Sequence, residues 1–265
     1  MKTFSLGVAL FTAATLLLLF SVNEISDLEV THHTIGQPGG GGVGLRVAQI
    51  SDLHLLGQAE VENKALQELR RADPDLVVLT GDILTHRDRS RELETFLRQL
   101  PSRAEKIAIP GNWEYWAGLD LKTLRQLYAR HRVTLLINEA LLVDRRLLVV
   151  GLDDFIQGEP DLRKAMTWHM DWRGPVLILA HNPMTRQLFP PHDAGKSQRV
   201  ILSGHTHGGQ IALGGFSFKP VGGADASCMS GWCQEMYVSR GIGTSIIPLR
   251  LGARPELSFF EWFLQ

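Results

Sequence analysis

Short, largely apolar runs punctuate this chain, and between the early ones the apolar positions fall at helical spacing. Leu45–Ile50 reads as a buried strand, and Ala59–Ala72 as a helix with Ala65, Leu66 and Leu69 on one face. Asp73-Pro74 ends that helix, and Leu76–Thr80 is a second buried strand. Helix Ser90–Leu100, strand Lys106–Ile109, helix Leu119–His131 and strand Val133–Ile137 continue the alternation. A βαβα order of this kind predicts a sheet buried on both faces, with polar residues gathered beyond the carboxyl ends of its strands. The rhythm then changes. Leu141–Val143 and Leu147–Gly151 read as a hairpin across Asp144-Arg145-Arg146, Leu162–Met170 as a helix, and Val176–Ala180 and Arg199–Leu202 as buried strands. Gln210–Leu213, Glu235–Ser239 and Leu257–Trp262 follow as strands split by turns. Helices early and extra strands late predict two sheets packed face to face with helices outside.

Ahead of the first strand the pattern is different. Residues 4–22 carry no charge and are rich in Leu, Ala, Val and Phe, and roughly 20 such residues suffice to cross a bilayer. Residues 1–24 are therefore expected to be a membrane anchor or signal segment. No small-x-small cleavage pattern precedes Glu24, Asp27 and Glu29, which favours an uncleaved anchor. Lys2 in front and acids behind place the body on the non-cytoplasmic side. Glu24–Thr34 fits either a short strand or a stalk, and Gly36–Gly44, with its run of four glycines, reads as a tether. Residues 25–44 thus form a linker, in which His32 and His33 are expected to be exposed bystanders, and 45–265 form the folded domain.

Composition narrows the function classes. A chain of 265 residues has room for one large domain or two small ones, and 27 basic against 28 acidic residues leave no electrostatic footprint for nucleic acid. The two cysteines, Cys228 and Cys233, fit a small disulfide loop in an oxidising compartment or two free thiols elsewhere. They are too few to build a cysteine zinc site.

Polar clusters sit at the ends of five of the apolar runs: Asp52-Leu53-His54, Gly81-Asp82, Gly111-Asn112, His181-Asn182-Pro183, and Gly204-His205-Thr206-His207-Gly208-Gly209. Asp and His two residues apart at a strand end offer oxygen and nitrogen to one divalent cation. Glycine permits the sharp turn ahead of Asp82, whose two carboxylate oxygens suit it to bridge two cations. Asn182-Pro183 is a natural helix start. Two histidines flanked by glycines, with no bulky neighbour, are explained better by ligation than by packing.

In this order the motifs resemble the calcineurin-like metallophosphoesterases, and Gly208-Gly209-Gln210 with Tyr237-Val-Ser-Arg-Gly-Ile-Gly-Thr-Ser resembles the membrane-associated YaeI/YkuE-like branch. The resemblance covers residues 45–265 and implies a four-layer αββα sandwich, an α/β fold with two mixed sheets. It implies two divalent metal ions, Mn, Zn or Fe: one held by Asp52, His54, Asp82 and His207, the other by Asp82, Asn112, His181 and His205. Catalytic roles fall to Asn112 and His205, and a hydroxide bridging the ions would attack a phosphate ester. One position departs from the family pattern. The residue after Asn112 is usually His and is here Trp113, whose indole has no proton to give at neutral pH. The expected substrates are therefore phosphodiesters, pyrophosphates or activated esters, lipid-linked ones included given the expected anchor, in preference to alkyl monoesters. A binder that has lost catalysis, with Trp113 plugging the crevice, is the competing reading. Trp113, Tyr115 and Trp116 fit either a substrate wall or packing at a helix start. Arg240 fits either a phosphate ligand or an internal ion pair. His86 fits a stand-in for the missing acid or an exposed loop, and His131 and His169 read as structural.

Overall fold

The fold is known from a computed structural model that describes residues 11–12, 15, 21–38, 43–55, 59–189, 198–213, 216–218 and 228–264. The apolar stretch 4–22 and the four-glycine run lie largely outside the described residues. Among the described residues no helix is long and apolar enough to cross a membrane.

Strand periodicity builds three cores. In β2 (Val43–Ile50), β3 (Leu76–Thr80) and β4 (Glu105–Ile109), Val47, Val78 and Ile107 enter one core while Ala48, Val77 and Ala108 point the other way into a second. That second core is closed by α1 (Ala59–Ala72), α2 (Ser90–Gln99) and α4 (Leu121–Arg130), through Leu66, Leu69, Phe96, Leu97, Leu124 and Leu127. In β7 (Leu147–Gly151), β8 (Val176–Leu179) and β9 (Arg199–Ser203), Val149, Leu177 and Leu202 share the first core. Val150, Ile178 and Ile201 face a third core with Ala165 of α5 (Leu162–Met166). Three cores separate four layers, helix, sheet, sheet, helix, as the αββα expectation requires.

One six-stranded sheet runs, edge to edge, β1 (Glu29–Ile35), β14 (Glu256–Leu264), β2, β3, β4 and β5 (Thr134–Leu135). The other runs β12 (Gly231–Cys233), β13 (Met236–Val238), β9, β8, β7 and β6 (Glu139–Val143), and a ribbon of β10 (Ile211–Leu213) and β11 (Phe216–Phe218) lies apart. β2, β3 and β4 are mutually parallel, as are β8 and β9, so five carboxyl ends deliver their following residues to one crevice. The short helix α3 (Asn112–Trp116) begins directly at the end of β4.

Several elements differ from their sequence-based bounds for local reasons. α4 starts at Leu121 because the Asp120 carboxylate caps it, accepting from Thr123 N at 3.2 Å. α5 ends at Met166, and Trp168 and Met170 beyond it are exposed, with no core to bury them. Glu29–Ile35 takes the strand alternative, pairing parallel with β14 along its whole length. His33 there is no exposed bystander: its ring packs against Tyr237, Phe260 and Trp232, and burial lowers its pKa. His32 is exposed and stacks on Phe259. Cys228 and Cys233 form a disulfide. Closing so short a loop is worth about 2 kcal/mol by chain entropy, and reduction is expected to lower the thermal midpoint by a few degrees in a calorimetric scan with and without reductant.

Candidate metal centre

The chain adopts costly backbone geometry where the five polar clusters meet. Asp52, His54, Asp82, His205 and His207 all have positive φ, between 44° and 69°. Each such non-glycine residue costs on the order of 1 kcal/mol or more. Cross-loop hydrogen bonds hold them there: Asp52 N to Gly81 O (3.0 Å), His54 N to Asp82 O (3.0 Å), Gly204 N to His181 O (2.9 Å) and Gly243 N to Asp52 O (2.8 Å). The clusters also approach too closely for side chains at two glycines. A Cβ on Gly204 would lie 1.9 Å from Ser51 Oγ, and one on Gly111 would lie 2.3 Å from Asp82 Oδ1.

Asp52, His54, Asp82, Asn112, His181, His205 and His207 are all buried in this one crevice. Their donor atoms fall into two groups, Asp52/His54/His207 and Asp82/His181/His205, each lying within 4.8 Å. Asp82 joins the groups: its Oδ2 is 3.2 Å from His181 Nε2 and 3.7 Å from His54 Nε2. His54 Nε2 and His207 Nε2 stand 3.1 Å apart, and His207 Nε2 is 3.5 Å from Asp52 Oδ1. Asn112 Oδ1 lies 3.0 Å from His205 Nδ1. His181 Nδ1 donates to Thr80 O at 2.8 Å, which turns the Nε2 lone pair toward Asp82. A lone pair and a carboxylate at that distance in a buried site need a proton or a cation between them. The donor set therefore fits a pair of cations on either side of Asp82.

Electrostatics prepares part of this set for ligation. Burial lowers His54 to about 4, and burial with His54 nearby pushes His207 well below the usual range, so both imidazoles are neutral ligands at neutral pH. Burial raises Asp52 to about 6 in spite of the His181 charge and the hydrogen bond from Ser51 Oγ at 2.5 Å. Burial would raise Asp82 too, but His181 and the neighbouring imidazoles outweigh it and hold Asp82 at about 2. Against the pull of burial, Asp82 in turn raises His181 well above its ordinary value. Metal loading must therefore displace a proton from His181 at neutral pH, and one from Asp52 below about pH 6. Titration calorimetry of Mn²⁺ into metal-free protein at pH 7, in two buffers of different ionisation enthalpy, is expected to show release of about one proton per chain. Affinity should weaken as pH falls through 6.

The family model of the calcineurin-like phosphoesterases matches residues 45–209. This chain belongs to that family. Among its relatives, the uncharacterised metallophosphoesterase YkuE of Bacillus subtilis is 29% identical over 248 residues, 88% of this chain and 85% of that one. The phosphodiesterase YaeI of Escherichia coli is 31% identical over 203 residues, 71% of this chain and 70% of that one. A solved 5'-nucleotidase precursor from Thermus thermophilus is a distant likeness, with a TM-score of 0.44 and 17% identity over 69% of this chain and 45% of that one.

Around the centre of this phosphoesterase, the residue most conspicuous in the structure and absent from the sequence-based candidates is Glu114. Its buried carboxylate accepts four backbone N–H bonds: Asp82 and Gly111 to Oε2 (2.9 and 2.8 Å), Ile83 and Leu84 to Oε1 (2.8 and 3.0 Å). One side chain thus clamps the Asp82 loop to the Asn112 loop. The only advance signal is its place at the third position of a helix capped by Gly111, where a capping acid sits.

The aromatic cluster divides. Trp113 is half-buried, with its indole edge-on to His54 at 5.5 Å and to Trp116 at 5.2 Å, which sets it beside the candidate ligands. Its backbone N donates to Asp82 Oδ1 at 2.8 Å. Tyr115 turns away to donate to Asp153. Arg240, one of the candidate phosphate ligands, takes the ion-pair alternative instead: Nε reaches Glu256 Oε2 at 3.1 Å and Nη2 reaches Glu29 Oε2 at 2.9 Å. With Nε and Nη2 engaged by these two carboxylates, it ties β1 to β14. His86 is exposed. Arg250, also unforeseen, is fully buried and caps the carbonyls of Gly243 and Ala253 beside His207.

Proposed function

We propose that the protein is a two-metal phosphohydrolase acting on phosphodiesters, pyrophosphates or activated phosphate esters. Asp52, His54 and His207 would hold one divalent ion and Asn112, His181 and His205 the other, with Asp82 placed to serve both; mixed nitrogen and oxygen donors suit Mn, Zn or Fe alike. When bound, such a pair of ions supplies Lewis acidity and an acidified water for in-line attack at phosphorus. The chain's own part is to hold the donors in strained, prepaid positions, keep the imidazoles of His54 and His207 neutral and set Trp113 beside them. The observation that carries this reading is the position of Asp82 Oδ2 within 3.7 Å of an imidazole from each donor group. The relative named a phosphodiesterase, YaeI, supports the diester preference.

The test is hydrolysis of bis-(p-nitrophenyl) phosphate with added Mn²⁺. Turnover that chelation abolishes and Mn²⁺ restores supports the enzyme. Tight metal binding without turnover on any ester supports instead a binding protein plugged by Trp113. Because Trp113 borders the crevice and has no proton to donate, Trp113→His is expected to raise kcat on alkyl phosphomonoesters by at least about tenfold, part of the roughly 10²–10⁴ a positioned acid contributes. Turnover of p-nitrophenyl esters, whose leaving group needs no acid, should change little.

The uncharged, apolar run of residues 4–22 supports our reading of a domain held at a bilayer on the non-cytoplasmic side, and with it a lipid-linked phosphate ester as the substrate class to try first. The Cys228–Cys233 disulfide supports an oxidising compartment.

A further inference from the structure

The turn that follows the Gly241-Ile242-Gly243 loop has no explanation in the metal centre. Ile246 has φ 62°, a conformation that a β-branched side chain adopts only at a cost. Ile246 is 65% exposed, and Ile247 next to it 37% exposed. Both the strain and the exposed apolar surface disfavour the fold, yet the turn is firmly held. The buried Gln210 side chain accepts from Ser245 N at 2.9 Å and donates to Ser245 O at 3.2 Å and to Ile247 O at 2.6 Å. Gln210 itself lies three residues beyond the candidate ligand His207, so the turn hangs on the loop that carries two of the histidines.

The apolar N-terminal stretch reaches the body at this place. Arg250 N donates to Ser21 O at 3.3 Å, and Gly252 N donates to Glu24 Oε2 at 3.0 Å. Ile247 is three residues from Arg250, a reach of at most about 11 Å. A bilayer holding residues 4–22 therefore begins within a short chain reach of the isoleucine pair.

We infer that the turn Ser245–Leu249 docks on the lipid surface through Ile246 and Ile247 and orients the crevice toward the bilayer. The inference rests on the membrane reading given under Proposed function. It specifies the substrate as an amphiphile whose phosphate ester lies at headgroup depth, within reach of a site hung on the same Gln210. The pair is an interfacial contact, too small to anchor the chain alone, and it acts beside a spanning segment that does.

The two native cysteines are paired, so one introduced thiol labels uniquely. The full chain carrying Ile247→Cys, tagged with an environment-sensitive fluorophore, is reconstituted into phosphatidylcholine vesicles with and without lipids bearing a nitroxide near the headgroup. Trp168→Cys is the control. Trp168 is 90% exposed in the connection that returns from α5 to the start of β8, at the opposite strand ends from the ligands. Docking predicts that nitroxide lipid quenches the label at 247 severalfold more than the label at 168. Equal, weak quenching in protein that floats with the vesicles overturns the docking and leaves the anchor intact. Failure of the chain to float overturns the membrane reading and the docking with it. Disulfide-linked dimers of unlabelled Ile247→Cys, formed in place of lipid contact, assign the pair to a second copy and overturn the proposal.

Discussion

Asp82→Asn is expected to lower kcat for bis-(p-nitrophenyl) phosphate with Mn²⁺ by at least about a thousandfold, some 4 kcal/mol of transition-state stabilisation. The substitution is nearly isosteric. Asn keeps an oxygen to accept the Trp113 N–H now received by Asp82 Oδ1, and it leaves the backbone N–H in the Glu114 clamp. What it removes is the charge that His181 and His54 face at 3.2 and 3.7 Å. Without that charge neither donor group has its shared oxygen anion, and His181 loses the partner that raises its pKa. Both metal occupancy and turnover should fall together, and the metal-free protein should lose the stability that the buried Asp82–His181 pair contributes at neutral pH, lowering its thermal midpoint by a few degrees. An Asp82→Asn protein that binds two ions and retains its rate would remove Asp82 from the centre.

Glu114→Ala has the largest expected effect on stability. Four N–H groups that now share one carboxylate would be left in a buried environment. Each unsatisfied donor costs roughly 1–3 kcal/mol, with relaxation and entering water reducing the sum, so a loss of at least about 4 kcal/mol is expected. For a domain of this size that corresponds to a drop in thermal midpoint of roughly 10 °C or more. Glu114→Gln serves as the partner variant. It keeps the size but offers one acceptor oxygen in place of two, and its amide would face two N–H donors. It should fold with a smaller loss and bind metal roughly 10–100-fold more weakly, the usual cost of disturbing the groups behind a ligand. A melting curve of Glu114→Ala that overlays wild type would refute the clamp.

What is legible in the chain is set by sequence-local physics. Five of the seven candidate ligands follow an apolar run within three residues, so reading Leu45–Ile50, Leu76–Thr80, Lys106–Ile109, Val176–Ala180 and Arg199–Leu202 as strands already puts Asp52, Asp82, Asn112, His181 and His205 at strand ends. What is not legible depends on contacts far apart in sequence. Arg240 meets Glu29 only because β1 pairs with β14, and nothing in the alternation of Glu29–Ile35 announces that pairing. His33 is covered by Trp232, almost two hundred positions away. Glu114 is hidden for a different reason: it lies within Asn112-Trp113-Glu114-Tyr115-Trp116, where the aromatics dominate the pattern, and its partners are backbone atoms that carry no residue signature. Helix Leu162–Met170 reads too long because its apolar residues continue past Met166, although no core faces them.

Whether two cations flank Asp82 is tested most directly by anomalous diffraction from crystals grown with Mn²⁺. The expected map holds two peaks in the crevice, one among Asp52, His54 and His207 and one among Asn112, His181 and His205, both in contact with Asp82. A map from active protein with a single peak, or with none touching Asp82, would contradict it.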